Sequence, residues 1–216
     1  MYVLVYYLPT WMQTVKGLTA VNSGLALLAM AVPTALIAVG TGQLISRVGY
    51  YTPFLIAGSC ICALGSGLFD TFRTNTETAK WIGYLILYGS GLGFVSQVPS
   101  MAAQTVLAKE NVAIGSSMMF FGQTLFGAIF VSVGQNVLYA DLVKDLSRIP
   151  GIDAHLIWTN GITDVLNRIP ASYYYTGLQM YNEALRTVFR VGLVMACLGV
   201  IGSLFLEWKS VQKSRK

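Results

Sequence analysis

Long runs without charge, separated by short polar connectors, dominate the sequence. Residues 17–46 and 48–69 contain no charged side chain, and only Arg47 separates them. Two further uncharged runs cover residues 81–108 and 111–140. A helix of about 20 apolar residues crosses the roughly 30 Å hydrocarbon core of a bilayer. The pattern therefore predicts several membrane-spanning helices.

We predict an all-α membrane protein with six transmembrane helices, of which the first is truncated at its start. The predicted spans are residues 1–13, 22–45, 53–69, 81–107, 113–138 and 187–207. Residues 1–13 are apolar and aromatic but too short to cross a bilayer, so we expect the first helix to have lost its beginning. Residues 1–208 are predicted to form one bundle, followed by a basic cytoplasmic tail at 209–216.

The segment between the fifth and sixth spans, residues 141–186, departs from this pattern. It contains charged residues, Pro150, Gly151 and the single histidine, His155. We interpret it as a folded extracellular loop with one or two amphipathic helices that lie on the membrane.

Small residues indicate where helices are expected to pack closely. In membranes such residues let helix backbones approach one another, because lipid provides no hydrophobic drive for association. A four-residue repeat occupies the third span, and three glycines cluster in the fourth. These positions are Ser59, Ala63 and Gly67, and then Gly89, Gly91 and Gly93. We also expect Pro99 to kink the fourth span.

Composition and charge favour a membrane environment and one orientation. The chain is 55% apolar and only 11% charged, whereas soluble domains have about 25% charged residues. The net charge is +5, but the bases are scattered singly except in the tail, at Lys209, Lys213, Arg215 and Lys216, so we expect the lipid bilayer and no nucleic acid as a partner. Basic residues favour the cytoplasmic side, which places Arg47 and the C-terminus there. We expect a multi-pass protein, in the plasma membrane.

No residue constellation predicts an enzyme, a metal site or a cofactor. His155 has no second histidine or cysteine at metal-ligand spacing. Cys60 and Cys62 have one intervening residue, which fits neither a redox pair nor half of a zinc site, and Cys197 lies in another apolar run. The predicted spans two to five contain no charged residue in their interiors, so this chain is not expected to supply proton coupling alone.

Uncharged polar side chains are the candidates for contact with a substrate. They are Tyr6, Tyr7, Gln97, Gln104, Gln123, Gln135 and Asn136. An amide is costly to expose to lipid, so each should face another helix or a cavity. Hydrogen bonding between helices and a neutral, aromatic-lined cavity both account for them. For a cavity that takes a small hydrophobic or amphipathic substrate, we single out Tyr7, Gln97 and Gln123.

Three stretches resemble the major facilitator superfamily, in particular the C-terminal part of the fungal 14-span drug:proton antiporters. They are YYLPTWMQTVKG, GQLISRVGYYTPF and GSGLGFVSQVPSMAAQTVL. The second resembles a degenerate copy of the family's loop motif, with the pattern G-x-x-x-x-R-x-G at Gly42, Arg47 and Gly49. This resemblance implies that the three residues form a conformational hinge on the cytoplasmic side.

The resemblance also implies a function. Such proteins export drugs, toxins or secondary metabolites by proton-coupled alternating access between two helical bundles. On that comparison this chain is the C-terminal half, and its partner is the missing N-terminal half of the same transporter, which carries the proton-coupling residues. The alternative is a transport-inactive membrane protein that associates with a full-length relative.

Overall fold

A computed structural model describes residues 1–147, 173–206 and 208. These residues form α-helices joined by short connectors, and no strand element occurs among them. In chain order the helices are α1 (Tyr2–Thr14), α2 (Ala20–Val48), α3 (Thr52–Phe69), α4 (Thr78–Ser96), α5 (Val98–Val106), α6 (Val112–Leu146) and α7 (Tyr174–Leu204). A 3₁₀ turn, Lys109–Asn111, precedes α6. The predicted all-α class is confirmed.

Four of these helices, α2, α3, α6 and α7, are long and apolar enough to cross a membrane. The chain is therefore a multi-pass membrane protein. Helices α2, α6 and α7 contain 29, 35 and 31 residues. At 1.5 Å per residue each is longer than the roughly 30 Å hydrocarbon core, so these helices tilt or extend beyond it.

The predicted fourth span, residues 81–107, consists of two helices instead of one kinked helix. Helix α4 ends at Ser96, and α5 begins at Val98 with Pro99 in its first turn. Within a continuous helix the proline ring would clash with the carbonyl four residues earlier, whereas the first turn tolerates it. The chain therefore breaks at Gln97.

The helices also extend further into residues 141–186 than the sequence pattern predicted. Helix α6 continues to Leu146, and α7 already begins at Tyr174. Leu138, Leu142 and Leu146 recur every four residues, are buried, and belong to the same apolar core as the buried residues of α7. This apolar face explains why α6 continues past its first charged residues. The rest of the predicted loop, with His155, and the tail at 209–216 lie outside the described residues.

Glycines on opposite sides of α4 bring it close to both α2 and α3. A Cβ atom at Gly89 would lie 2.3 Å from the carbonyl oxygen of Met30 on α2. A Cβ atom at Gly91 would lie 2.6 Å from the backbone nitrogen of Cys62 on α3. Gly93 follows Gly89 by about one helical turn and again faces α2, 2.7 Å from the oxygen of Thr34. The predicted close packing at this cluster is confirmed.

On α3 the glycines that lie closest to α4 are Gly58 and Gly65. A Cβ atom at Gly58 would lie 2.5 Å from Cβ of Phe94, and one at Gly65 would lie 2.9 Å from Cα of Tyr88. A Cβ atom at Gly67, one of the predicted positions, would make only an ordinary contact of 3.7 Å with Leu193. The predicted repeat of Ser59, Ala63 and Gly67 therefore includes a residue that faces α7 and not α4.

Candidate functional site

The connector between α2 and α3 is short because a glycine ends α2. Gly49 has φ +82° and donates its backbone N–H to the carbonyl of Ile45 at 2.8 Å. This left-handed conformation is easily accessible to glycine and strained for residues that carry a Cβ. The chain then enters α3, which has Pro53 in its first turn. Gly49 is therefore the residue that reverses the chain direction.

The other two predicted hinge residues lie within α2, not in the connector. Arg47 is exposed in the last turn, where a positive charge interacts favourably with the helix dipole. Gly42 lies further back, and a Cβ atom there would be 4.0 Å from Cε of Met101 on α5. Among the three residues only Gly49 has a non-helical backbone, so only Gly49 belongs to the connector itself.

A small apolar cluster joins this connector to α5. Ile45, Tyr51 and Val98 are almost completely buried against one another, and Phe54 and Met101 pack around them. We call these five residues the hinge core. The hinge core includes the first residue of α5, so it packs the α2–α3 connector against the helix that follows the break at Gln97.

An apolar groove of about 490 Å³ lies between α1, α6 and α7. Its walls include Tyr2 from α1, Gln123, Phe126 and Phe130 from α6, and Met195 from α7. A neighbouring groove of about 400 Å³ shares Tyr2 and includes further residues of α1 and α6. Pockets for small molecules have similar volumes and are lined mainly by apolar side chains with a few polar groups. These grooves are the candidate substrate site.

The structure brings only one of the three predicted substrate contacts, Gln123, into this groove. Tyr7 is buried behind it and donates its hydroxyl to the carbonyl of Val131 at 3.1 Å, which ties α1 to α6. The Tyr7 ring also packs against Gly134. Gln97 is exposed at the break between α4 and α5 and belongs to neither groove.

Sequence reasoning missed the aromatic residues of the groove, although their spacing contains the signal. Gln123, Phe126 and Phe130 follow one another at three and four residues, which places them on one face of a helix.

Three other amides form hydrogen bonds within their own helices, not between helices. These bonds join Gln104 to Ser100, Gln135 to Tyr139 and Asn136 to the carbonyl of Ser132.

A polar junction at the opposite end of the bundle was also missed. The indole N–H of Trp11 donates to the amide oxygen of Asn182 at 2.8 Å, and the Asn182 amide donates to the carbonyl of Phe72 at 3.0 Å. Both hydrogen bonds are buried. Asn182, Arg186 and Arg190 recur every four residues on α7. Asn182 and Arg186 fall within residues 141–186, which the charge pattern predicts to be a loop, so their helical spacing relative to Arg190 gives no signal in the sequence.

Comparison with known proteins identifies the relatives of this chain. No family model matches it. It is 44% identical to an MFS-type transporter of Claviceps purpurea, over 98% of this chain and 37% of that protein. It is 41% identical to the MFS-type efflux pump MFS1 of Arthroderma benhamiae, over 98% of this chain and 40% of that protein. It is 35% identical to the efflux pump aflT of Aspergillus parasiticus, over 100% of this chain and 42% of that protein. The chain thus spans about two fifths of the length of the curated relatives it matches.

Proposed function

We propose that this chain, which is homologous over 98% of its length to MFS-type transporters, is the C-terminal half of an efflux carrier. The carrier exports drugs, toxins or secondary metabolites by proton-coupled alternating access. The observation that carries this proposal is identity of 35–44% along almost the whole chain to proteins named as transporters and efflux pumps. Transport, rather than catalysis, is therefore the proposed activity.

The proposed partner is the N-terminal half of the same transporter. The chain corresponds to 37–42% of its relatives, which leaves room for a second bundle. The uncharged runs at residues 17–46, 81–108 and 111–140 contain no titratable acid or base that could carry a proton at depth. The proton-coupling residues are therefore assigned to that other half.

The proposed substrate site is the apolar groove between α1, α6 and α7. Its aromatic walls favour small hydrophobic or amphipathic molecules, and Gln123 offers an amide for one directional hydrogen bond. Tyr7 has a supporting role, since its hydrogen bond to Val131 fixes the distance between α1 and α6. Gln97, exposed at the α4–α5 break, is proposed as a contact further along the substrate path.

The proposed hinge is formed by Gly42, Arg47 and Gly49 and lies on the cytoplasmic side of the plasma membrane. The positive charge of Arg47 at the end of α2 favours this orientation, and the C-terminus then lies on the same side. The hinge core connects these residues to α5, so a change in the α2–α3 connector alters the helix that follows the Gln97 break.

An efflux assay tests the proposal. The complete protein that contains this chain is expressed in a pump-deficient fungal host loaded with an amphipathic fluorescent dye. We expect dye export that a protonophore abolishes. Export that persists after collapse of the proton gradient would reject proton coupling. No export of any of a panel of dyes and drugs, together with co-purification of a full-length relative, would favour the transport-inactive alternative.

A further inference from the structure

The connector between α3 and α4, residues 70–77, is bonded to other parts of the bundle from two sides. From the α1–α2 connector, the Lys16 ammonium donates to the carbonyls of Thr74 at 2.9 Å and Thr76 at 2.5 Å. The same ammonium lies 5.5 Å from the ring centroid of Trp11. Burial against this connector lowers the pKa of Lys16. On the other side of the connector, Asn182, Arg186 and Arg190 of α7 form hydrogen bonds with it.

The centre of this arrangement is buried and all its polar groups are paired. Trp11 and Phe72 are both 0% exposed, and their rings stack with centroids 4.2 Å apart. Asn182 accepts from Trp11 and donates to the carbonyl of Phe72. Opening this junction would leave an indole N–H, a carbonyl and both ends of an amide unpaired inside an apolar core, which is a costly state.

Charged groups close the rim of the same junction. Arg190 donates from Nε to a carboxylate oxygen of Asp70 at 2.8 Å. Arg186 donates from Nε to the backbone carbonyl of Asp70. Its Nη1 atom pairs with a carboxylate oxygen of Glu183 at 2.5 Å. Two arginines from successive turns of α7 therefore hold the point at which α3 ends.

We propose that these groups form a connector clamp that stays closed throughout the transport cycle. The clamp consists of Trp11, Lys16, Asp70, Phe72, Asn182, Arg186 and Arg190. Because α1, α7 and the α3–α4 connector are joined by several independent contacts, they move as one body. The substrate groove reaches Tyr2, nine residues before Trp11 and so about 14 Å along α1. A molecule in the groove does not leave between α1 and α7 at the clamp.

The end of the bundle that carries the α2–α3 connector lies opposite the clamp and has features that permit movement. Only three of the five hinge-core residues are buried, and the chain breaks at Gln97 between α4 and α5. Conformational change is therefore assigned to the hinge end and rigidity to the clamp end. This inference rests on the proposed transport function, since it states which part of the carrier remains fixed while the carrier works.

A reversible cross-link across the clamp tests whether it must open. Asn75 and Gln179 are both exposed and line the same polar cavity of about 410 Å³, one from the connector and one from α7. Asn75→Cys and Gln179→Cys are introduced into the complete transporter, with Cys60 and Cys197 changed to serine. A short bifunctional methanethiosulfonate then joins the two positions: each cysteine thiolate displaces methanesulfinate and forms a disulfide that a reductant cleaves. We expect efflux to stay within about twofold of the unlinked protein. Loss of efflux that returns on reduction would overturn the proposal.

Hydrogen exchange tests the clamp without relying on transport. In the purified complete protein in nanodiscs, we expect Asn182→Leu to accelerate amide exchange in residues 70–77 about tenfold. Lys80→Gln is the control, because Lys80 is exposed in the first turn of α4 and is not one of the clamp residues. Should the Asn182 variant not fold, Arg190→Gln gives a milder version of the same test.

The two measurements separate the possible failures. A wild-type connector that already exchanges as fast as the variants would overturn the clamp itself, whatever the efflux result. An unlinked protein that exports nothing would reject the proposed function, while the exchange rates would still decide whether the clamp is closed.

Discussion

The indole of Trp11 and the amide of Asn182 are joined by a 2.8 Å hydrogen bond that spans 171 residues of sequence. This bond connects α1, the shortest of the predicted spans, to α7, the last helix of the bundle. Because Asn182 also donates to the carbonyl of Phe72, one side chain links three separate segments. The buried junction therefore couples segments that lie far apart in the sequence.

Trp11→Phe tests the contribution of this bond to stability. Phenylalanine keeps most of the stacking area on Phe72 but leaves the Asn182 oxygen buried without its donor. An unsatisfied buried group of this kind costs about 1–3 kcal/mol. We expect a lower thermal unfolding midpoint in detergent. Trp208→Phe is the control, because Trp208 is 63% exposed, and equal midpoints for the two variants would contradict the prediction.

Gly89→Ala tests the close contact between α4 and α2. The added Cβ would lie 2.3 Å from a backbone oxygen of Met30, which cannot move away as a side chain could. Overpacking of this type costs about 1–3 kcal/mol or more, so we expect reduced stability and yield. Gly83→Ala, on the same helix, meets nothing within 4 Å and should match the wild type. Similar stability of both variants would show that α4 does not pack against α2 as described.

Most of the helices and their order could be predicted from the sequence, because a long run without charged residues favours a helix that spans the membrane. Arg47 and Gly49 marked the end of α2, since a charge and a glycine are local signals. The glycine cluster around Gly91 predicted close packing because only small residues permit backbone contact in lipid. Each of these inferences depended on information within a few residues of the feature it concerned.

The rest could not be predicted because it depends on contacts between distant segments. No local signal indicates that Asn182 meets Trp11, or that Tyr7 turns away from the groove and towards Val131. Charged residues after Ala140 indicated a loop, yet the buried stripe that includes Leu142 continues the helix, because packing against α7 outweighs the cost of charges that can reach water. The α4–α5 break, by contrast, follows from a local signal, Pro99, which had predicted a kink and not a break.

Arg47→Ala tests the proposed hinge. Arg47 is exposed, and substitutions of exposed side chains usually change stability little, so the loss of its charge should affect folding only slightly. We expect the maximal efflux rate to fall clearly, whereas the thermal unfolding midpoint should stay close to the wild-type value. Arg47→Lys keeps the positive charge and should retain more activity than the alanine variant. Wild-type transport by Arg47→Ala would remove this residue from the mechanism.

Gln123→Leu tests the candidate substrate groove. The change removes the amide in the groove wall and leaves a side chain of similar size, so binding of apolar dyes should persist. Substrates that carry a hydrogen-bonding group should lose about 0.5–1.5 kcal/mol of binding, seen as a KM raised several-fold with little change in the maximal rate. Asn136→Leu, on the same helix, is the matched control, because its amide bonds to the carbonyl of Ser132 on that helix. An equal rise in KM for both variants would mean that Gln123 acts through the general polarity of α6. Unchanged KM for Gln123→Leu across polar and apolar dyes would place the substrate elsewhere.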